Sequence, residues 1–159
     1  MKKKSTLGLY FRIYLIYLMA FTPVSATDGS WRLATNTYKK TASTALTNGC
    51  LLAFTTGYAI AATSSTTNII GILQKTVAAT DSDYASNSFI PVLVPRNGLD
   101  SLMLGDVTGT AVATDAGSFF DLSDSLTVNR AATSVKIIFF AKFLSATRGI
   151  FALNSAKFA

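Results

Sequence analysis

The stretch that decides the fold of this chain is VKIIFFAKF, residues 135–143. Successive side chains of a β-strand point to opposite faces of its sheet, so the odd-numbered positions form one face without a charge. The even-numbered positions form the other face, on which Ile138 and Phe140 lie between Lys136 and Lys142. This alternation predicts a strand whose odd-numbered face packs in the protein core.

The even-numbered face of this strand has two interpretations. Lysines that bracket a hydrophobic strand are a common device against edge-to-edge aggregation, and in that case Ile138 and Phe140 are exposed for a partner. In the other interpretation, a second layer of the same domain covers both side chains. The sequence leaves this choice open.

The rest of the body shows short strand-like segments separated by turn signals at close spacing. The predicted segments are Cys50–Thr55, Tyr58–Ala62, Ile69–Val77, Phe89–Val94, Gly105–Val112, Phe119–Leu122, Leu126–Asn129 and, after the loop Ser145–Gly149, a returning hairpin strand Ile150–Asn154. Gly71 predicts a bulge or a close backbone approach, and Pro91 predicts an edge strand because proline cannot donate to a ladder. Residues 47–159 are therefore expected to form an all-β domain, a single small β-barrel or β-sandwich of short antiparallel strands.

Residues 27–46 are polar and rich in threonine, with Trp31 as the one large apolar anchor. We expect this stretch to be an extended N-terminal arm that leads into the domain. Trp31 is then a candidate contact residue for a partner.

Residues 1–26 resemble a secretory signal, with three lysines, an apolar run that could form an N-terminal helix, and a small-residue cleavage site before Thr27. Arg12 and Pro23 interrupt the apolar run, so no stable membrane span is predicted. Initiation at Met19 is the alternative, in which case the preceding residues have no structural role.

The composition argues against catalysis. The chain contains no histidine and no glutamate, and its single cysteine, Cys50, has no partner. Histidine is the commonest acid–base group and metal ligand near neutral pH, and glutamate is the other carboxylate that active sites tune. We therefore expect a protein that is not an enzyme, with no catalytic residues, no cofactor and no small-molecule substrate. Cys50 is expected to be a small buried residue on a strand.

The net charge of +6 is concentrated near the N-terminus, because from Met19 onward ten lysines and arginines oppose eight aspartates. These basic residues are scattered, whereas nucleic-acid binding needs a clustered basic face, so no nucleic-acid partner is predicted. Charged residues make up 14% of the chain, below the usual quarter. Such a surface is covered by serine, threonine and asparagine, or is partly hidden by partners.

Two acidic clusters, Asp81-x-Asp83 and Asp121-x-x-Asp124, are the candidates for a metal site. Calcium takes six to eight oxygen ligands, and two aspartates at these spacings supply too few. Aspartates in such loops more often accept hydrogen bonds from nearby backbone amides. No metal ligands are predicted.

From about Leu46 to Asn154 the chain resembles the capsid decoration proteins of tailed bacteriophages, also called cement or head-stabilising proteins. The segments that carry this resemblance are Leu46–Gly49, Tyr58–Thr63, Ile69–Leu73, Thr76–Ala85, Phe120–Asn129 and Phe143–Phe151. The resemblance implies a compact β-barrel or sandwich, often a trimer, that binds the major capsid protein on the outside of the head. It implies no catalytic residues. A virion protein is assembled in the host cytoplasm and needs no secretion signal, so the resemblance favours initiation at Met19.

The sequence thus supports two functions. The first is a non-enzymatic virion protein that stabilises the phage head, with Ile138, Phe140, Lys142 and Arg148 as contact residues beside Trp31. The alternative is a secreted bacterial β-domain with a surface or adhesion role, which the signal-like N-terminus favours.

Overall fold

The computed structural model describes residues 21–24, 30–96 and 98–154; the predicted signal and N-terminal helix lie almost wholly outside these ranges. The expected all-β fold is confirmed. The strands are β1 Thr22–Pro23, β2 Trp31–Lys39, β3 Leu51–Thr55, β4 Tyr58–Ala61, β5 Ile69–Leu73, β6 Phe89–Pro95, β7 Met103–Thr108, β8 Phe119–Leu122, β9 Thr127–Asn129, β10 Ile138–Ser145 and β11 Arg148–Leu153. Within the described ranges, no helix is long and apolar enough to cross a bilayer.

The C-terminal half of the chain forms a closed five-stranded barrel. Its strands follow the order β7-β11-β10-β8-β9, and a parallel pairing of β9 with β7 closes the ring. β1 adds to β7 through Thr22 and Pro23, opposite Leu104 and Met103. The predicted hairpin at the end of the chain is confirmed as the antiparallel pair β10–β11. Closure gives the barrel an interior that must be filled by side chains.

The N-terminal half forms a five-stranded antiparallel sheet in the order β2-β6-β5-β3-β4. Both faces of this sheet are covered. Ile69 and Ile72 of β5 belong to the apolar cluster that includes the barrel interior, whereas Ile70 and Leu73 belong to a second cluster on the opposite face. All five residues of β5 are therefore buried, which explains why this segment is an unbroken apolar run and not an alternating one.

The stretch expected to be an arm is part of this sheet. Trp31–Lys39 forms β2, which pairs with β6 from Trp31 opposite Pro95 to Lys39 opposite Phe89. The prediction of an extended backbone was right, but the arm interpretation was wrong for these residues. Threonine-rich sequence suits a strand with one neighbour, and the buried Trp31 and Ala34 attach it to the sheet.

Of the two predictions made for Gly71 and Pro91, the structure confirms the first and contradicts the second. A Cβ on Gly71 would fall on the carbonyl oxygen of Leu93, which confirms the predicted close backbone approach. Pro91 was expected on an edge strand, yet β6 lies between β2 and β5. The β2–β6 register shifts between Ala34 and Tyr38, opposite Pro91, so the missing amide falls at a bulge.

Candidate interaction surface

The predicted contact residues Ile138 and Phe140 are fully buried in the barrel. The Phe140 ring packs edge-to-face on Phe151 with 4.8 Å between ring centroids, and a Cβ on Gly149 would come within 2.8 Å of Phe140 Cζ. The glycine therefore leaves the space that the Phe140 ring occupies. The interface interpretation of these two residues is wrong, and the interpretation in which the same domain covers them is right.

The alternation of this stretch fails because its backbone is irregular at both ends. Lys136 has a positive φ of 58°, so the strand begins at Ile138 and Ile137 is buried before it. The β10–β11 register then shifts between Phe140 and Lys142, which turns Phe143 back toward the barrel cluster. The odd-numbered face was expected in the core, but Phe139 lies half-buried outside the barrel.

Trp31 is also a core residue. Its side chain is buried in the cluster shared by the barrel and the sheet, and its Nε1 donates a hydrogen bond to the Leu102 carbonyl oxygen at 3.3 Å. Trp31 joins the two halves of the molecule and offers no free surface. Its candidacy as a contact residue is therefore wrong.

The other two predicted contact residues lie on the surface. Lys142 is exposed on β10, and Arg148 at the start of β11 donates from Nε to Asp106 Oδ1 at 2.8 Å. Arg148 and Asp106 line an open cleft of about 460 Å³ together with Val107 and Thr147. The structure thus keeps Lys142 and the ion-paired Arg148 on the surface and buries the three apolar members of the prediction.

Asp121 and Asp124 both bind backbone amides. The buried Asp121 carboxylate accepts hydrogen bonds from the amides of Ser134, Val135 and Lys136 at 2.7–2.8 Å. Asp124 Oδ1 accepts from two amides of the next turn, at Leu126 and Thr127. The Asp124 contacts confirm the expected hydrogen bonds to nearby backbone amides. Asp121 instead binds amides 13 to 15 residues away and holds the left-handed turn that precedes β10.

Three further aspartates hold other turns in place. Asp115 pairs with Arg130 through two hydrogen bonds, at 2.7 and 3.1 Å, and the guanidinium lowers the pKa of the carboxyl below its ordinary value. The hydrogen bond from Lys75 to Asp83, at 2.7 Å, likewise lowers the pKa of Asp83. Asp81 accepts from the Ala78 amide at 2.8 Å. Across the described ranges, no three acidic or cysteine side chains come together as metal ligands.

Lys40 is a fully buried cation without a carboxylate partner in the described chain. Its Nζ donates to the carbonyl oxygens of Thr41, Tyr84 and Ser86 at 3.2, 2.7 and 2.9 Å. An ammonium group has three donors, and all three are used here. Lys40 therefore fastens the long loop before β6 to the end of β2, and burial keeps it from any partner.

Cys50 is buried as expected. Burial raises the pKa of its thiol to about 11, so the reactive thiolate is scarce near neutral pH. The side chain packs in the second apolar cluster with residues of β3 and β5.

The outer edge of β2 is an exposed surface that was not predicted from the sequence. We call residues Arg32–Lys39 the β2 edge. Apart from Ala34 and the half-buried Tyr38, its residues are exposed, and Leu33 is 55% exposed. In the described parts of the chain, the first neighbour on this side is the single bridge from Lys40 to Ala59, so the backbone of the edge is unpaired before that point.

The charge at this edge is of one sign. Arg32 and Lys39 lie on β2, Arg96 follows β6, and no carboxylate forms an ion pair with any of them within the described residues. Lys39 instead lies 4.9 Å from the ring centroid of Phe89, which is 49% exposed. This single sign of charge could be read from the sequence, because neither WRLATNTYK nor FIPVLVPR contains an acidic residue.

No protein-family model matches this chain, and a comparison with curated proteins gives no significant match.

Proposed function

We propose that this protein is a non-enzymatic structural subunit that binds the outer surface of a phage head and stabilises it. The observation that carries the proposal is the exposed β2 edge, whose outer backbone has no strand partner among the described residues and which carries an exposed leucine and basic flanks on an otherwise weakly charged β domain. A surface of this kind suits protein–protein pairing. The resemblance to capsid decoration proteins supplies the partner, the major capsid protein, and homo-oligomers such as trimers.

The use of the acidic side chains also supports a structural role. Asp115 and Asp121 are buried and bonded to Arg130 or to backbone amides, and Asp124 is bonded within its own turn. Carboxylates held in this way have their oxygens occupied by structural donors. Symmetric repetition on a capsid would multiply a modest contact per subunit.

Packing at Phe21 favours the virion interpretation over the secreted alternative. Phe21 is fully buried against Gly105 and Phe151, its amide donates to the Gly49 carbonyl oxygen at 3.2 Å, and Thr22–Pro23 pairs with β7. Cleavage before Thr27 would remove these residues from the folded domain. Initiation at Met19 keeps them, and assembly in the host cytoplasm needs no cleavage.

The test is binding of the chain that begins at Met19 to expanded, undecorated heads of the phage that encodes it. Co-sedimentation at a saturating stoichiometry, with a rise in the temperature at which the heads open, is the expected result, because a ligand that binds the assembled state stabilises it. Bovine serum albumin is the control for trapping.

A chain that never sediments with the heads, or purified virions that lack it by mass spectrometry, would contradict the proposal. A mature protein that begins at Thr27 and is found outside bacterial cells would favour the surface or adhesion function instead.

A further inference from the structure

The geometry points to the β2 edge as the docking strand for an extended, acidic segment of the partner, which adds to the five-stranded sheet beside β2. This inference rests on the proposed function for the identity of the partner, the capsid protein. Its chemistry, strand addition guided by carboxylates, rests on the structure alone.

In the described chain, the outer side of β2 has backbone groups that are available for pairing. β2 is nine residues long, and its inner side pairs with β6, whereas no described strand pairs with its outer side. Half of the amide and carbonyl groups of an edge strand point outward, and an added strand satisfies them with main-chain hydrogen bonds. The bridge from Ala59 of β4 to Lys40 lies directly after β2, so the open part of the β2 edge ends there.

The β2 edge is also positively charged. Arg32 and Lys39 stand near the two ends of the edge, roughly 23 Å apart at a rise of about 3.3 Å per residue. Both are exposed and have no ion-pair partner in the described chain, and Arg96 adds a third positive charge beside the first strand pair. Like charges opposed across a strand pair are destabilising and opposite charges are favourable. The complementary segment therefore carries carboxylates near both ends.

The edge also carries an exposed apolar side chain next to Arg32. Leu33 is 55% exposed and stands opposite Leu93, whose side chain packs on the cluster beneath. An added strand would cover Leu33, and a small apolar residue at the facing position would complete this surface. The expected ligand is thus an extended segment with acidic residues near both ends and an apolar residue next to one of them.

A second copy of this chain fits the edge poorly. The described strands that carry aspartate are β7 and β8, and both are paired on two sides within the closed barrel. Two β2 edges brought together antiparallel about their centre would place Arg32 against Lys39. The occupant is therefore a different protein, and self-pairing is an outcome that the test must be able to detect.

The test measures binding of the chain that begins at Met19, of a double variant and of a control variant. Arg32→Glu with Lys39→Glu reverses the edge charges, and Lys136→Glu makes the same kind of change at one exposed lysine before β10. The probes are the undecorated heads and a fluorescent synthetic peptide of alternating aspartate and valine, with a lysine–valine peptide as the opposite-charge control.

The expected result is that the edge variant binds both the heads and the acidic peptide at least roughly tenfold more weakly, while the Lys136 variant binds as the parent does. A photo-crosslinking residue in place of Leu33 should label the capsid protein within an acidic stretch, whereas one in place of Leu144 should not. Circular dichroism checks that both variants are folded.

Several outcomes separate this inference from the proposed function. Heads that bind the edge variant and the parent equally would overturn the edge and leave head binding intact. Heads that bind neither, while the acidic peptide binds the parent and not the edge variant, would overturn head binding and support the edge. Crosslinking of one copy to another at position 33, or equal binding of both peptides, would overturn the inference.

Discussion

Replacing Phe21 by alanine, in a chain that begins at Met19, should strongly destabilise the fold. Phe21 is fully buried in the cluster that fills the barrel, and its ring lies where a side chain on Gly105 would otherwise be, since a Cβ there would approach Phe21 Cε1 to 2.6 Å. Removing a buried phenylalanine ring costs about 3–5 kcal/mol. Phe21 precedes the two-residue edge strand β1, which pairs with β7 alone and can adjust around the space, so we expect the lower part of this range.

The assay is thermal and urea unfolding followed by circular dichroism. For a chain of this size, about 3 kcal/mol corresponds to a fall in melting temperature of roughly 6–12 °C. Phe89→Ala is the matched control, because it deletes the same ring from a half-exposed position on β6 and should cost much less. A chain that begins at Thr27, which lacks both Phe21 and β1, should lose at least as much stability as Phe21→Ala.

A Thr27 chain that unfolds at the same temperature as the Met19 chain would refute this reasoning. It would mean that Phe21 adds nothing to the core, and cleavage at the signal-like site would then be compatible with the fold. The N-terminal residue of the natural protein, measured by mass spectrometry, provides an independent check: we expect the chain to retain Phe21.

Three other predictions follow from buried groups. Phe140→Asp should leave the chain unfolded at room temperature, because an unpaired charge would enter the closed barrel; a folded variant that has lost only head binding would restore Phe140 as a contact residue. The Arg130 ion pair lowers the pKa of Asp115, so the pair stabilises the fold above the unfolded carboxyl pKa of about 3.9. This stability is lost as the pH falls through the folded pKa. The free energies of unfolding of Asp115→Asn and of the parent should therefore differ at pH 6 and become equal in acid. Cys50, with a pKa of about 11, should react with a thiol reagent at pH 8 far more slowly in the native protein than in urea, and equal rates would contradict its burial.

Local pattern was enough to predict most strands. β-branched and aromatic residues between turn residues placed β3, β4, β8 and the β10–β11 hairpin within one to three residues of their observed bounds. Gly71 was also predictable, because a lone glycine in an apolar strand indicates a close backbone approach. These features depend on neighbouring residues along the chain, and the sequence contains that information directly.

The assignment of faces was less predictable. The strict alternation of residues 135–143 suggested that the odd-numbered face is core, but the positive φ of Lys136 and the bulge after Phe140 changed which side chains point inward. The left-handed turn is held by Asp121, which lies fourteen residues before Val135. Strand periodicity cannot report such a contact.

The sequence by itself determined that this chain is an all-β protein without histidine or glutamate chemistry, because composition and short-range alternation are properties of single segments. The burial of Ile138 and Phe140, the position of Trp31 between the two halves and the open edge of β2 within the described residues depend on the tertiary structure. These features depend on whether each sheet closes on itself. The parallel pairing of β9 with β7 turns one sheet into a barrel with an inside, while the other sheet ends at β2, whose outer side has no strand partner in the described chain.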